Sequence, residues 1–442
     1  MAISLERYLR AARAAPVHQP EGVVVDVVGL VVEVGGIKAG VGALVRVELD
    51  AGGTLDLEVV GFRSGRLLAT PLGPVAGVRP GATVALAPRG SRVPVGAGFL
   101  GRVVDSFCLP MDGMPSPAVA DYYPVHASPP HPFSRRPIDH AFGTGARAID
   151  ALLTLGCGQR VGIFAGSGVG KTTLLGIICR ESQAEVNVIG LVGERGREVN
   201  DFLRDALGPG LARSVVVVAT SDQPPIVRAR AAEVATAMAE YFRDQGKDVL
   251  LVMDSVTRYA MSMREAALAT GEPPATKGYP PSVFAALPRL LERAGTSGGQ
   301  GVITALYTVL VEGDDLSEPI ADTVRGILDG HIVLARALAE KGHYPPIDVL
   351  QSVSRLAPLV ASQEQLRDAA VVRELMGAHR DTADLIQVGA YVSGSDPRVD
   401  VAVKLMPSIE AFLRQSSGEA APYELTVNRL HELAAIAARG GA

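Results

Sequence analysis

The chain has 442 residues, too long for one ordinary core at roughly 100 to 200 residues per domain, so two or three domains are expected. Hydrophobic residues make up 48% and charged residues 20%, which excludes both a disordered chain and a coiled-coil rod. The formal charge of −5 argues against a broad basic surface for nucleic acid and points to protein partners. Residues 3–14 place Ile3, Leu5, Tyr8, Leu9 and Ala12 among Glu6, Arg7, Arg10 and Arg13, a helical stripe that stops at Pro16. This short amphipathic helix either docks on its own globule or offers a handle to a partner. No apolar stretch of signal-peptide length opens the chain, and no later segment reaches about 18 apolar residues without charge, so a cytoplasmic protein is expected. Cys108, Cys157 and Cys179 show no CxxC spacing and read as small buried apolar residues in a reducing compartment.

From Val23 to about Pro88 the pattern is β-rich: VVVDVVGLVVEV, ALVRVEL, LDLEVVGF and RLLATPL, separated by glycine-rich turns, predict a small barrel or sandwich. A proline-dense stretch from Pro110 has no regular period and reads as an extended connection. Between Arg160 and Tyr307 the apolar runs VGIFA, VIGLVG, VVVVA, VLLVMD and VITALY alternate with helical stretches, which predicts a parallel sheet buried on both faces. After about Pro358, segments such as EQLRDAAVVRELMGAH and YELTVNRLHELAAIAARG have helical spacing.

Ala165-Gly166-Ser167-Gly168-Val169-Gly170-Lys171-Thr172 follows a predicted strand and, with Thr173, opens a predicted helix, the context a phosphate-binding loop demands. Ala165 stands where the strict pattern has glycine, but three glycines remain to curl backbone N–H groups around phosphates. Lys171 would reach the β- and γ-phosphates and Thr172 a Mg²⁺ ion. Asp254 closes the run VLLVMD, where a carboxylate can serve the same ion through its water shell. Glu194, directly after VIGLVG, is the candidate for orienting the attacking water. Glu198 and Arg197 read as surface ion pairs. The acidic cluster Glu312 to Asp315 reads as solvated surface.

The runs GLVGERGREV, MDSVTRYAMSMREAALATGEPPATKGYPPSVFAALPRLLERAG, LVEGDDLSEPIADTVRGILDGHIVLAR and GHYPPIDVLQSVSR closely resemble the flagellar protein-export ATPases, relatives of the type III secretion ATPases and of the rotary ATP synthase catalytic subunit. The resemblance is densest from Gly156 to Arg355 and extends more loosely to both ends. It implies an α/β chain with a P-loop (RecA-like) parallel-sheet ATPase domain at 93–358. The partner-binding N-terminal helix would occupy 1–20, a small β-barrel 21–92 and a helical domain 359–442. It also implies that Glu194 activates water, Asp254 serves Mg²⁺, Arg195 and Arg258 contact the γ-phosphate of ATP, and Tyr344 packs on adenine. Arg355 resembles an arginine finger supplied to a neighbouring subunit, so a homohexameric ring is implied. The loop Glu272 to Pro281 faces the central channel in the relatives, although its prolines and glycines also suit a purely structural loop. Regulator and stalk proteins, chaperone–substrate complexes and a membrane export gate, approached peripherally at the cytoplasmic face of the inner membrane, are the implied partners. Three activities compete: export ATPase, flagellar or virulence-type; a proton-coupled synthase subunit; and a nucleic-acid translocase. One chain carrying both Glu194 and Arg355 suits a homomeric ring better than a synthase that divides those roles. No Trp and only 10 Phe and 10 Tyr give little material for a base-stacking groove.

Overall fold

The computed structural model describes residues 21–87, 90–311, 313 and 315–440; the helix expected at residues 3–14, together with Glu312 and Asp314, lies outside them. The chain divides into two compact units, Met1–Ser91 with Ala269–Gly271, and Arg92–Leu268 with Glu272–Ala442.

In the first unit six short strands close into an antiparallel barrel, in the order Glu21–Val28, Val31–Gly35, Arg66–Pro71, Thr54–Arg63, Leu44–Glu48 and Thr83–Leu86. Closure through the pairing of Val23 with Thr83 leaves no exposed strand edge, which decides between the barrel and the sandwich. Alternating side chains such as Val32, Val34, Val45, Val47, Leu57 and Val59 fill the interior.

The second unit is built on an eight-stranded sheet: β1 (Arg102–Asp105), β2 (Arg160–Ala165), β3 (Val186–Glu194), β4 (Ser214–Thr220), β5 (Asp248–Asp254), β6 (Val302–Leu310), β7 (Gly330–Leu334) and β8 (Ile347–Ser354). Their order across the sheet is β8-β7-β2-β6-β5-β3-β4-β1, and every neighbour is parallel except the β7–β8 pair. The five long apolar runs form the centre. The outer strands β1, β7 and β8 carry no comparable sequence signal, because they are short or partly exposed. Within the proline-dense connection, Asp121–Pro124 pairs antiparallel with Arg92–Val95, so that stretch holds one short strand.

Side chains along each central strand divide between two cores. Ile189 and Leu191 of β3 point to one face and Val188 and Val192 to the other. The first face is covered by α1 (Lys171–Glu181), the second by α2 (Pro225–Asp244), and α3 (Val256–Ala269) follows β5. The C-terminal helices α4 (Gln363–Asp381), α5 (Pro397–Leu413) and α6 (Tyr423–Gly440) place Val372, Leu405, Ile409 and Leu430 in the same core as Leu174 and Ile178 of α1. No helix among the described residues is long and apolar enough to cross a membrane.

Beneath the second face, Arg293 and Glu240 form a bidentate pair at 2.9 and 2.6 Å, with side chains only 3% and 6% exposed, and Arg293 also donates to the Val125 carbonyl at 2.6 Å. Arg293→Met alone strands a buried carboxylate and is expected to cost about 3–5 kcal/mol, whereas Arg293→Met with Glu240→Leu should recover most of that loss. Urea midpoints of the three proteins check this; a single variant as stable as the parent contradicts it.

Candidate functional site

Between β2 and α1 the chain turns through Gly168 (φ 75°) and Gly170 (φ 105°), both in the left-handed region. A side chain there would cost about 1–2 kcal/mol per residue. Ala165, where the strict pattern has glycine, is the last residue of β2, paired with Leu310 on one side and Leu334 on the other. Its methyl belongs to the core, so the loop loses no freedom to it. Val169 is likewise buried and anchors the loop from within. At the start of α1 the first-turn N–H groups lack intrahelical partners, and the helix dipole favours negative charge in front of them.

Asp254 ends β5 and Glu194 ends β3, both at the carboxyl edge of the sheet where β2 delivers Lys171. The Lys171 ammonium contacts Asp254 Oδ1 and lies 3.8 Å from Glu194 Oε1. Asp254 and Glu194 are 5% and 7% exposed, so water does little to screen them. Burial pushes the Glu194 carboxyl up to about 7; the Asp254 charge adds to the rise, Lys171 opposes it, and a hydrogen bond with Glu198 raises it further.

These groups line a cleft of about 780 Å³ together with Gly166, Ser167, Gly168, Gly170 and Thr172. Arg258 also lines it, and its Nε is buried without a hydrogen-bond partner among the described residues, as suits a donor for an anion. Arg195 reaches the cleft from its exposed rim and pairs with Glu198 at 3.1 Å. Arg197 instead pairs with Asp201 at 3.5 Å on the surface. The oxygen atoms of Thr172 and Asp254 are hard donors fit for a divalent ion. Among the described residues no group of three or more His, Cys, Asp or Glu could hold a metal.

Thr173, Tyr344 and Arg355 do not line the cleft. The Tyr344 ring packs beside the loop, 3.5 Å from where a Cβ on Gly170 would stand, and is half exposed. Gln415, in the loop after α5, donates its N–H to the Tyr344 carbonyl at 2.9 Å. The Gln415 side chain donates to Gly145 O and Glu419 O and accepts from Arg147 N. Arg355 follows β8. Ser354 pairs with Gly330, while Ile347 pairs with Leu334, which pairs with Ala165. Arg355, one residue further along, donates its N–H to the Asp329 carbonyl and thus sits at the sheet edge opposite the phosphate loop, about 16 Å away along the strands at about 3.3 Å per residue. Two residues escaped the sequence reading: Thr308, whose Oγ1 lies 2.7 Å from Asp254 Oδ1, and Arg336, whose Nη2 lies 3.3 Å from the Ser167 carbonyl. A Thr inside an apolar strand carries no local signal of such a role.

The pattern of the ATP synthase alpha/beta family, nucleotide-binding domain, matches residues 145–354, and that of the T3SS EscN ATPase C-terminal domain matches residues 361–432. The flagellum-specific ATP synthase of Bacillus subtilis (strain 168) is 50% identical over 415 residues, 93% of this chain and 94% of that protein. The type 3 secretion system ATPase of Xanthomonas euvesicatoria is 48% identical over 92% of this chain and 93% of that protein. The structure of the assembled ATPase EscN in complex with its central stalk EscO, from the enteropathogenic E. coli type III secretion system, superposes with a TM-score of 0.86 at 44% identity, over 93% of this chain and 100% of that chain.

The Lys171 ammonium offsets two buried carboxylates, so Lys171→Met should raise the Glu194 carboxyl further above its unfolded value. A buried acid raised in this way destabilises the fold as pH climbs from the unfolded pKa, near 4.3, through the folded one; every tenfold change in its ionisation constant is about 1.4 kcal/mol. The gap in melting temperature between the parent and Lys171→Met should therefore widen from pH 5.5 to pH 8. A gap that is constant with pH contradicts the assignment.

Proposed function

The chain belongs to the family of flagellum-specific and type III secretion ATPases, built on the ATP synthase alpha/beta nucleotide-binding domain, and we propose that it hydrolyses ATP in a homohexameric ring to drive export of flagellar proteins. The observation that carries this is the convergence of Glu194 and Asp254, from neighbouring strands, on the lysine of the phosphate loop.

In this reading the N–H groups of Gly166 to Thr173 cradle the phosphates and Lys171 holds the β- and γ-oxygens. Thr172 and Asp254 hold Mg²⁺, which when bound neutralises charge on the phosphates. Glu194 accepts a hydrogen bond from the attacking water and orients it, while Arg258 and Arg195 donate to the γ-phosphate. Tyr344, beside Gly170, offers a face for adenine. Arg355, being remote from its own phosphate loop, acts on the site of the next subunit. Such a heterologous contact closes into a ring, as the assembled relative supports. A stalk protein in the ring's channel, reached by the Glu272 to Pro281 loop, is proposed by the same likeness. A regulator, chaperone–substrate complexes and a peripheral place at the inner-membrane export gate follow from the family activity.

Glu194→Gln should retain ATP but lose turnover by about 10²-fold or more; the parent's kcat/KM should rise through about pH 7 as Glu194 ionises in the free enzyme, and that rise should be absent from Glu194→Gln. Normal hydrolysis by Glu194→Gln removes its role. Arg355→Ala should lower kcat by on the order of 10³-fold or more, and mixing it with Lys171→Ala subunits should restore activity through sites that pair an intact Lys171 with an intact Arg355. No recovery in mixed rings confirmed by mass argues against action in trans. Placing Glu194→Gln in the native gene and counting filaments by electron microscopy tests the cargo. Loss of filaments with normal growth supports flagellar export, and intact filaments point to a virulence-type system.

A further inference from the structure

Thr308 is fully buried in β6, the strand that separates the phosphate-loop strand β2 from the Asp254 strand β5. A hydroxyl in that apolar layer is costly unless hydrogen-bonded. Its oxygen lies 2.7 Å from Asp254 Oδ1 and 3.2 Å from the Met253 carbonyl oxygen, so its single proton is best placed on the carboxylate. Lys171 reaches the same Oδ1. Asp254 Oδ2 accepts no hydrogen bond among the described residues. Two donors from different elements thus meet on one oxygen and fix the rotation of the carboxylate.

We propose that Thr308 is a positioning residue for Asp254, pinning Oδ1 so that Oδ2 is presented to the divalent ion that accompanies the nucleotide. The proposal rests on the reading of Asp254 as the acid that serves that ion. Thr308 does not line the cleft and acts only through Asp254. Removing an outer partner of this kind changes metal affinity or activity by about 10- to 100-fold.

The test is binding of a fluorescent ATP analogue by the full chain, in Mg²⁺ and in EDTA. In Thr308→Val the Mg²⁺-dependent gain in affinity should fall about 10- to 100-fold, while Thr308→Ser, which keeps the hydroxyl, should stay within about threefold of the parent. Binding in EDTA should be the same in both, showing an intact loop. Adding Thr308→Val to Asp254→Asn should bring no further loss. A gain that survives in Thr308→Val but not in Asp254→Asn overturns the role of Thr308 and leaves Asp254 standing. A gain that survives in Asp254→Asn overturns the reading of Asp254, and the proposal with it. Equal losses in Thr308→Val and Thr308→Ser, or additive losses with Asp254→Asn, mark a packing role and overturn the proposal.

Discussion

One ammonium group stands against both buried carboxylates at the floor of the site. Glu194 and Asp254 are buried at the ends of β3 and β5, where two carboxylates without a cation would repel each other at low local dielectric. Lys171 stands between them, touching Asp254 and 3.8 Å from Glu194. Much else in the second unit serves to hold that lysine there. The left-handed glycines turn β2 into α1, Val169 anchors the loop, and Leu174 and Ile178 seat α1 on the sheet. The balance is incomplete, since the Glu194 carboxyl is still pushed up to about 7. A carboxyl with its pKa near neutrality is matched to proton transfer at neutral pH.

The order of the strands determines which groups can meet. With β6 inserted between β2 and β5, the phosphate loop and Asp254 stand one strand apart, a separation that the Lys171 side chain spans and that leaves room for Thr308 beneath. β8 alone runs antiparallel, which carries its end, and Arg355, to the opposite edge of the sheet. The same topology that assembles Lys171, Glu194 and Asp254 therefore keeps Arg355 out of their company, which is why the proposed function gives that arginine to the site of a second subunit.

The C-terminal helices share a core with α1 rather than forming a separate one, and Gln415 ties the loop after α5 to the Tyr344 carbonyl, Gly145 and Arg147. Displacing α5 would thus strain the hydrogen bonds that Gln415 makes with Tyr344, Gly145 and Arg147. α5 was also the helix least visible in the sequence. Val399, Val401 and Val403 alternate as a strand would, and Pro407 lies within the helix. Burial of Leu405 and Ile409 against the core outweighs that local preference.

Local pattern alone determined the central strands, the glycine turn, the lysine that follows it and the two acids closing apolar runs, because each is set by period, φ preference or position at a strand end. Glu194, Asp254 and Lys171 were legible for that reason. Closure of the barrel, the flanking strands β1, β7 and β8, the hydrogen bond of Thr308 and the exile of Arg355 were decided only by the tertiary structure. Each depends on pairing between segments far apart in the chain, and a residue's neighbours across a sheet leave no trace in its neighbours along the sequence.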